Sequence, residues 1–287
     1  TCALPISEIA ELIDAYPALT GGKESFFHTD ADFRKENIYY YADETILTCT
    51  WREILQGHTC TFSEVYVAHP SQFRRKLAGD SYGSPIQKYA SEMARETNSV
   101  VAMNGDFYKF RAEGVTVYNR ELYRFNPNKL ELCHIDRLGH LNFTYAGDIT
   151  TEEDMKQYIR DHDILFTLAF GPVLVENYEP HDYAPHYLLG QIETRYSRSV
   201  LCTGGDCHYL LMTINHGYNP NTPTVTIAET QEILLAKKVE NAYVLDGGQT
   251  AEIIMQDRVS NHIDFDTERT VSDILYFVTA LPEDEEQ

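Results

Sequence analysis

The residues of this sequence that could do chemistry lie in two short polar turns, each directly after a predicted buried strand. The first turn reads Asn-Gly-Asp at 104–106 and follows the apolar run 100–103, and the second reads Asp-Gly-Gly at 246–248 and follows the run 242–245. Glycine lets the backbone approach a ligand closely, asparagine and aspartate supply directed hydrogen bonds, and consecutive glycines can present N–H groups to an anion. Ordinary Asn-Gly and Asp-Gly hairpin turns are the alternative interpretation of each segment.

The charge of the chain restricts what these turns could bind. The sequence has 44 acidic and 23 basic residues, which gives a formal net charge of −21. Such a surface repels nucleic acid and anionic membranes, so we expect neither as a partner. A small anionic substrate is compatible if a few arginines create a locally positive pocket. Arg198 and Arg269 are the candidates, because a guanidinium holds a phosphate by bidentate hydrogen bonds; surface ion pairs are the alternative.

The elements around each turn follow the same order, namely helix, strand, polar turn and hairpin. A helix over 84–94 is predicted before the first strand, and a capping box at 226–229 predicts a helix before the second. Hairpins are predicted after the turns, at 114–123 and 252–259. If the two units pack about a pseudo-twofold axis, both polar turns open at the same place.

Many short strands and few helices predict an α+β fold, with a mixed, largely antiparallel sheet and flanking helices. We expect an N-terminal extension at 1–55 that packs on a main domain at 56–281, and an acidic tail at 282–287. No apolar run reaches about 18 residues, so no direct membrane insertion is expected of this chain. The six cysteines are interpreted as buried free thiols, with a bridge between Cys202 and Cys207 as the alternative.

Five sequence pieces are more specific together than either turn alone. They are 102–108 (AMNGDFY), 170–175 (FGPVLV), 197–201 (SRSVL) with 208–215 (HYLLMTIN), 244–250 (VLDGGQT) and 268–277 (ERTVSDILYF). In this order they resemble the phosphodiester glycosidases, so 56–281 is expected to form the domain of that family. The resemblance places Asn104, Gly105 and Asp106 on the family's first active-site turn, Arg198 on its motif arginine, Asp246, Gly247 and Gly248 on its Asp-Gly-Gly turn, and Arg269 on its C-terminal arginine.

The activity that this resemblance implies is hydrolysis of the glycosidic bond of a sugar-1-phosphodiester, which releases free sugar and a phosphomonoester. A phosphate ester is a weakly basic leaving group, so the acid assistance of ordinary glycoside hydrolysis is less necessary. The reaction needs cationic hydrogen bonding to the phosphate and a carboxylate near the anomeric carbon. We expect Asp246 to be the catalytic carboxylate, with Asp106 positioning the substrate or acting as the second group. The expected substrate-binding residues are Asn104, Gly105, Arg198, Gly247, Gly248, Gln249, Thr250 and Arg269.

The sequence also bears on two other classes of function. The chain has Gln249, Thr250, Ala251 and Glu252 where many relatives have a further glycine and small hydroxyl residues. That difference favours, as the alternative, a non-catalytic module that binds sugar phosphate or anionic glycan at the cell surface. A metal-dependent phosphodiesterase would need clustered His and Asp ligands, which the sequence does not show, and neither a metal nor a cofactor is expected.

The expected partner is a small-molecule or polymeric sugar phosphate. The expected location is extracytoplasmic, either secreted or anchored through a segment absent from this chain. Relatives of this type are commonly exported, and a chain that begins with Thr is expected to be processed or truncated.

Overall fold

The computed structural model describes residues 6–27, 35–182, 194–216 and 224–280. Within these ranges the helices are α1 (Ile6–Asp14), α2 (Pro17–Thr20), α3 (Ala90–Glu96), α4 (Glu152–Asp161) and α5 (Ile227–Ala236). The strands are β1 (Glu36–Ala42), β2 (Ile46–Leu55), β3 (His58–Val67), β4 (Phe73–Leu77), β5 (Val101–Asn104), β6 (Gly114–Tyr118), β7 (Glu121–Asn126), β8 (Leu132–Asp136), β9 (Leu141–Thr144), β10 (Ile164–Leu168), β11 (Val173–Glu176), β12 (Glu179–Pro180), β13 (Arg198–Thr203), β14 (His208–Asn215), β15 (Asn241–Leu245), β16 (Ile253–Met255), β17 (Arg258–Val259) and β18 (Asp273–Phe277). Short 3-10 turns occur at Pro70–Gln72, Tyr108–Phe110, Gly248–Thr250 and Asp264–Asp266.

These strands form three sheets. One has eight strands in the order β1-β2-β3-β14-β13-β15-β11-β12, and two have five strands, in the orders β7-β6-β10-β8-β9 and β17-β16-β5-β18-β4. Neighbouring strands run antiparallel, including those beside β5 and β15. The predicted α+β class with largely antiparallel sheets is therefore confirmed. Because β5 and β15 lie in different sheets, the polar turns that follow them can meet only where these two sheets pack together.

Apolar side chains cover both faces of the eight-stranded sheet. On one face α1 and α5 pack over Trp51 and Val244. On the other face Leu245 packs with Met103 of β5 and with residues of β8 and β10. The outer face of the β5 sheet is covered by α3, through Met93. Adjacent residues 244 and 245 thus face opposite cores, and this explains why the strand before the second turn is a continuous apolar run instead of an alternating one.

A helix precedes each polar turn, but the first begins later than predicted. The second, α5, starts at the predicted capping box, in which the side chains of Thr226 and Glu229 each accept the other's backbone N–H. The first, α3, begins at Ala90, so the prediction of a helix from residue 84 was wrong. Lys88 forms a β-bridge with Val271, which holds the chain before Ala90 extended. The pseudo-twofold relation between the two units stays a prediction.

The chain before residue 55 also contributes to the main sheet. β2 pairs with β3 along the whole hairpin, from Ile46 opposite Val67 to Leu55 opposite His58. The predicted domain boundary falls at the turn of this hairpin, and the predicted tail 282–287 lies outside the described residues. Among the helices of the described ranges, none has the length and apolar character needed to cross a bilayer.

The described cysteines are free thiols, four of them buried and Cys207 half-buried. Cys202 lies opposite Leu210 in the β13–β14 hairpin, whereas Cys207 lies in the connecting turn. The two are therefore not cross-strand partners, and the prediction of free thiols is confirmed for this pair.

Candidate active site

The two polar turns meet at one place and are joined by direct hydrogen bonds. The side-chain amide of Asn104 donates to the carbonyl oxygen of Asp246 at 2.6 Å, across 142 residues of sequence. The Asp246 N–H donates to the carbonyl oxygen of Gly105 at 3.3 Å. Neither turn is an isolated surface hairpin, because each completes the hydrogen bonding of the other.

Asn104 and Gly105 set the shape of this junction. Oδ1 of Asn104 accepts the hydroxyl of Ser199 at 2.7 Å and the N–H of Glu252 at 3.2 Å, so the amide is engaged on both sides. A Cβ on Gly105 would lie 2.3 Å from Oδ2 of Asp273, which leaves no space for any other residue. Both residues were predicted to bind substrate, but their observed contacts are to the protein.

Asp106 is buried beneath the junction. Its Oδ1 accepts Arg111 Nη2 and the Phe107 N–H, both at 2.6 Å, and its Oδ2 accepts the Ala169 N–H at 3.0 Å. Only 3% of the residue is exposed. A carboxylate with both oxygens engaged in this way is well placed to organise a site electrostatically. It is poorly placed to attack a substrate directly.

Asp246 is more exposed than Asp106, and its surroundings raise its pKa. It is half-buried at the end of β15, and its Oδ1 accepts the Gly247 N–H at 2.9 Å. Burial raises the pKa of the Asp246 carboxyl to about 7, and the charge of Asp106 acts in the same direction. The neighbouring Thr250 hydroxyl, the hydrogen bond from the Gly247 N–H and the charge of Arg269 oppose this rise in pKa. The group can therefore gain or lose a proton near neutral pH.

The N–H groups of the two glycines after Asp246 donate within the protein, and their predicted contact with an anion stays a prediction. The Gly247 N–H donates to Asp246 itself, and the Gly248 N–H donates to the carbonyl oxygen of Ser197 at 2.9 Å. Close packing requires the glycines instead. A Cβ on Gly247 would lie 2.4 Å from the Ser197 carbonyl oxygen, and Gly248 has φ +66° with Tyr196 in contact.

Gln249 and Thr250 also make contacts inside the protein. The Thr250 hydroxyl donates to the carbonyl oxygen of Gly247 at 2.8 Å, and the Gln249 side chain donates to the carbonyl oxygen of Thr267 at 3.0 Å. The second contact ties the Asp-Gly-Gly turn to the segment that carries Arg269.

The two predicted arginines occupy different environments. Arg198 is buried at the start of β13, where it donates to the carbonyl oxygen of Thr194 at 2.9 Å and lies 5.7 Å from the centre of the Tyr196 ring. Burial lowers the pKa of Arg198 to about 10. Arg269 is exposed, lies within electrostatic range of Asp246, and forms no hydrogen bond or ion pair with the described residues. Its guanidinium is therefore available to a ligand.

Four residues around the junction were not predicted from the sequence to be site residues. Arg111 pairs with Asp106, and Arg75 donates to Asp273 at 2.7 Å in a fully buried ion pair. Asp273 lies inside the matching piece 268–277, which was the available signal for it. The arginines offer no comparable signal, because only the fold places them beside their partners.

Glu252 is the fourth of these residues, and its N–H donates to the side chain of Asn104. The residue is fully buried, and neither of its carboxyl oxygens receives a hydrogen bond from a donor among the described residues. Burial raises the pKa of Glu252 to about 9, and the neighbouring carboxylate of Glu268 adds to this. The described residues contain no group of three or more His, Cys, Asp or Glu side chains that could hold a metal ion.

The chain belongs to the phosphodiester glycosidase family, whose sequence profile matches residues 97–278. This span includes both polar turns, Arg198 and Arg269. Among curated proteins, none matches the chain.

Solved structures with the same fold share little sequence with this chain. The catalytic domain of zebrafish N-acetylglucosamine-1-phosphodiester alpha-N-acetylglucosaminidase, auto-inhibited by its pro-peptide, is 15% identical with a TM-score of 0.61, covering 87% of this chain and 83% of that one. A hypothetical protein from Synechocystis is 11% identical with a TM-score of 0.65, covering 85% and 64%. A "putative exported protein" of Burkholderia pseudomallei K96243 is 13% identical with a TM-score of 0.53, covering 77% and 74%. At these identities the likeness shows the fold alone.

Proposed function

We propose that this chain hydrolyses the glycosidic bond of a sugar-1-phosphodiester and releases the free sugar and a phosphomonoester. The observation that carries the proposal is the half-buried Asp246 carboxyl, which lies where the two polar turns meet and within electrostatic range of Arg269. Family membership and the fold shared with the zebrafish catalytic domain support the same reaction.

In the proposed reaction, Asp246 acts as the general base. Its carboxylate takes a proton from a water molecule while the water oxygen attacks the anomeric carbon. The bond between that carbon and the phosphate oxygen breaks, and its electron pair leaves with the phosphomonoester. A pKa of about 7, which burial raises from 3.8, suits this role because a base is most effective when its pKa is close to the working pH.

Positive charge for the leaving phosphate comes from arginine. Arg269 is exposed beside Asp246, so it can contact the phosphate without first breaking an ion pair among the described residues. Arg198 lies behind Tyr196, whose hydroxyl contacts the Gly248 position, and it adds buried positive charge on that side of the turn. Guanidinium groups stabilise a phosphate best where water is excluded.

The role proposed for Asp106 is to position the site. Its hydrogen bonds hold Arg111 and the Phe107 and Ala169 backbones, and its charge helps to raise the pKa of Asp246. Asn104 and Gly105 act in the same way, by joining the turns. Of the two aspartates predicted from the sequence, Asp106 and Asp246, the proposed catalytic carboxylate is therefore Asp246.

The test is product analysis with a methyl diester of N-acetylglucosamine 1-phosphate, since the zebrafish enzyme that shares the fold is named for this sugar. Free sugar and methyl phosphate are the expected products. Asp246→Asn should lower kcat by at least about a hundredfold, in the range typical of a lost general base. Asp257→Asn, an exposed substitution at the tip of the β16–β17 hairpin, should not change the rate.

Two other outcomes would contradict the proposal. Release of intact sugar phosphate with methanol would mean that the P–O bond is cut. Tight binding without release, in folded protein, would favour the non-catalytic binding module.

An extracytoplasmic location is also proposed, and the exported character suggested for the Burkholderia protein of this fold supports it.

A further inference from the structure

Phe265 combines two unfavourable features at the edge of the candidate site. It is 83% exposed, the highest value for a large hydrophobic residue in the described ranges. Its backbone has φ +65° and ψ 15°, a left-handed conformation that is an outlier for a bulky side chain. Exposure and strain both oppose folding stability, so neither explains why a phenylalanine stands here.

The strained turn is held in place from both sides. The Ser197 hydroxyl donates to the two carboxylate oxygens of Asp264, at 2.8 and 2.7 Å. On the other side, His262 Nε2 lies 2.8 Å from Oδ1 of Asp266. Strain that neighbouring contacts maintain in this way is typical of ligand sites.

These contacts also determine the position of Phe265 relative to the site. Ser197 is the residue whose carbonyl oxygen accepts the Gly248 N–H, so the Phe265 turn is anchored to the Asp-Gly-Gly turn. Tyr196, next to Ser197, is 43% exposed and contacts the Gly248 position. Two exposed aromatic residues therefore lie in segments that contact the Asp-Gly-Gly turn through Ser197 and Gly248.

We propose that Phe265 and Tyr196 form a platform on which the sugar ring of the substrate packs. This proposal rests on the proposed function, because it assigns the sugar subsite of the same site. One face of a pyranose carries mainly C–H groups and is apolar, and an aromatic ring can cover it. The phosphate then extends toward Arg269. The platform accounts for an exposed, strained phenylalanine, since its apolar surface is covered only when substrate is bound.

The experiment compares two probes by titration calorimetry, namely N-acetylglucosamine 1-phosphate, which carries the ring, and inorganic phosphate, which does not. Phe265→Ala should weaken sugar-phosphate binding about three- to tenfold, as expected for one aromatic contact, and leave phosphate binding unchanged. Arg269→Ala should weaken the binding of both probes. Because the assay measures binding, it reports on the platform even if the chain turns over no substrate.

Tyr178→Ala is the matched control. Tyr178 is also exposed, at 55%, and left-handed, with φ +69°. It follows Asn177, whose N–H donates to Asn241 at the start of β15, the opposite end of the strand from Asp246. This variant should bind both probes like the wild type.

Phe265→Gly provides a second readout. Glycine adopts φ +65° without strain, so the melting temperature should stay equal or rise while sugar-phosphate binding falls. Unchanged affinity for N-acetylglucosamine 1-phosphate in both Phe265 variants would overturn the proposal. So would an equal loss of affinity for the two probes, because phosphate has no ring to stack.

Discussion

The buried carboxyl of Glu252 leads to a prediction about stability that does not depend on activity. Glu268 accepts the N–H and the hydroxyl of Ser91, so it is the better stabilised carboxylate of the adjacent pair. Two carboxyl groups can share a hydrogen bond only if one keeps its proton. Glu252, fully buried and without donors among the described residues, is the group that keeps it.

The size of the effect on the free energy of unfolding follows from the pKa of Glu252. A rise from 4.5 to about 9 corresponds to about 6 kcal/mol, at about 1.4 kcal/mol for each pKa unit. The pKa of Glu252 is higher in the folded protein than in the unfolded one, so ionisation of Glu252 destabilises the fold. The free energy of unfolding therefore keeps this contribution in full below pH 4.5 and loses it as the pH rises to about 9. Glu252→Gln keeps a neutral side chain that can donate to Glu268, so the variant should not lose this stability.

Urea unfolding at several pH values provides the measurement. Between pH 7.5 and 8.5, above the pKa of Asp246, the wild type should lose about 1.4 kcal/mol more than Glu252→Gln for each pH unit. At pH 7.5 the variant should be the more stable by about 4 kcal/mol. Glu232→Gln, an exposed change on α5, should behave like the wild type. Parallel pH profiles for the wild type and Glu252→Gln would refute the claim that Glu252 is protonated in the folded protein.

Three further predictions concern the junction of the turns. The kcat/KM of the wild type should rise with pH through about 7, because the pKa of Asp246 is raised and its base form is needed; a flat pH–rate profile would argue against that role. Gly247→Ala should lower stability by about 1–3 kcal/mol in thermal unfolding, since its Cβ would lie 2.4 Å from the Ser197 carbonyl oxygen, and wild-type stability would contradict the packing described. Asp106→Asn should cost about 3–5 kcal/mol in urea unfolding by leaving Arg111 buried without its counter-ion, whereas a loss of activity alone would point to a direct catalytic role.

Local sequence patterns predicted those parts of the site that are formed by residues close together in the sequence. A buried strand followed by glycine and polar residues identifies both turns, because only a backbone without Cβ fits against Asp273 at Gly105 and against Ser197 at Gly247. The capping box of α5 was predictable for the same reason, since its hydrogen bonds join residues three apart.

The failed and missed predictions involve contacts between segments that are distant in sequence. The helix expected from residue 84 is shortened by the bridge between Lys88 and Val271, which no local pattern shows. The N–H of Gly248 donates to the carbonyl oxygen of Ser197, just before β13, and no local pattern shows this contact either. Arg111 became part of the site only because the chain folds it onto Asp106.

Hydrolysis of the methyl diester of N-acetylglucosamine 1-phosphate in ¹⁸O-labelled water tests the central claim most directly. If water attacks the anomeric carbon with Asp246 as base, mass spectrometry will find the label in the free sugar and none in methyl phosphate. Label in the phosphate product would contradict the claim, because it would place the attack on phosphorus.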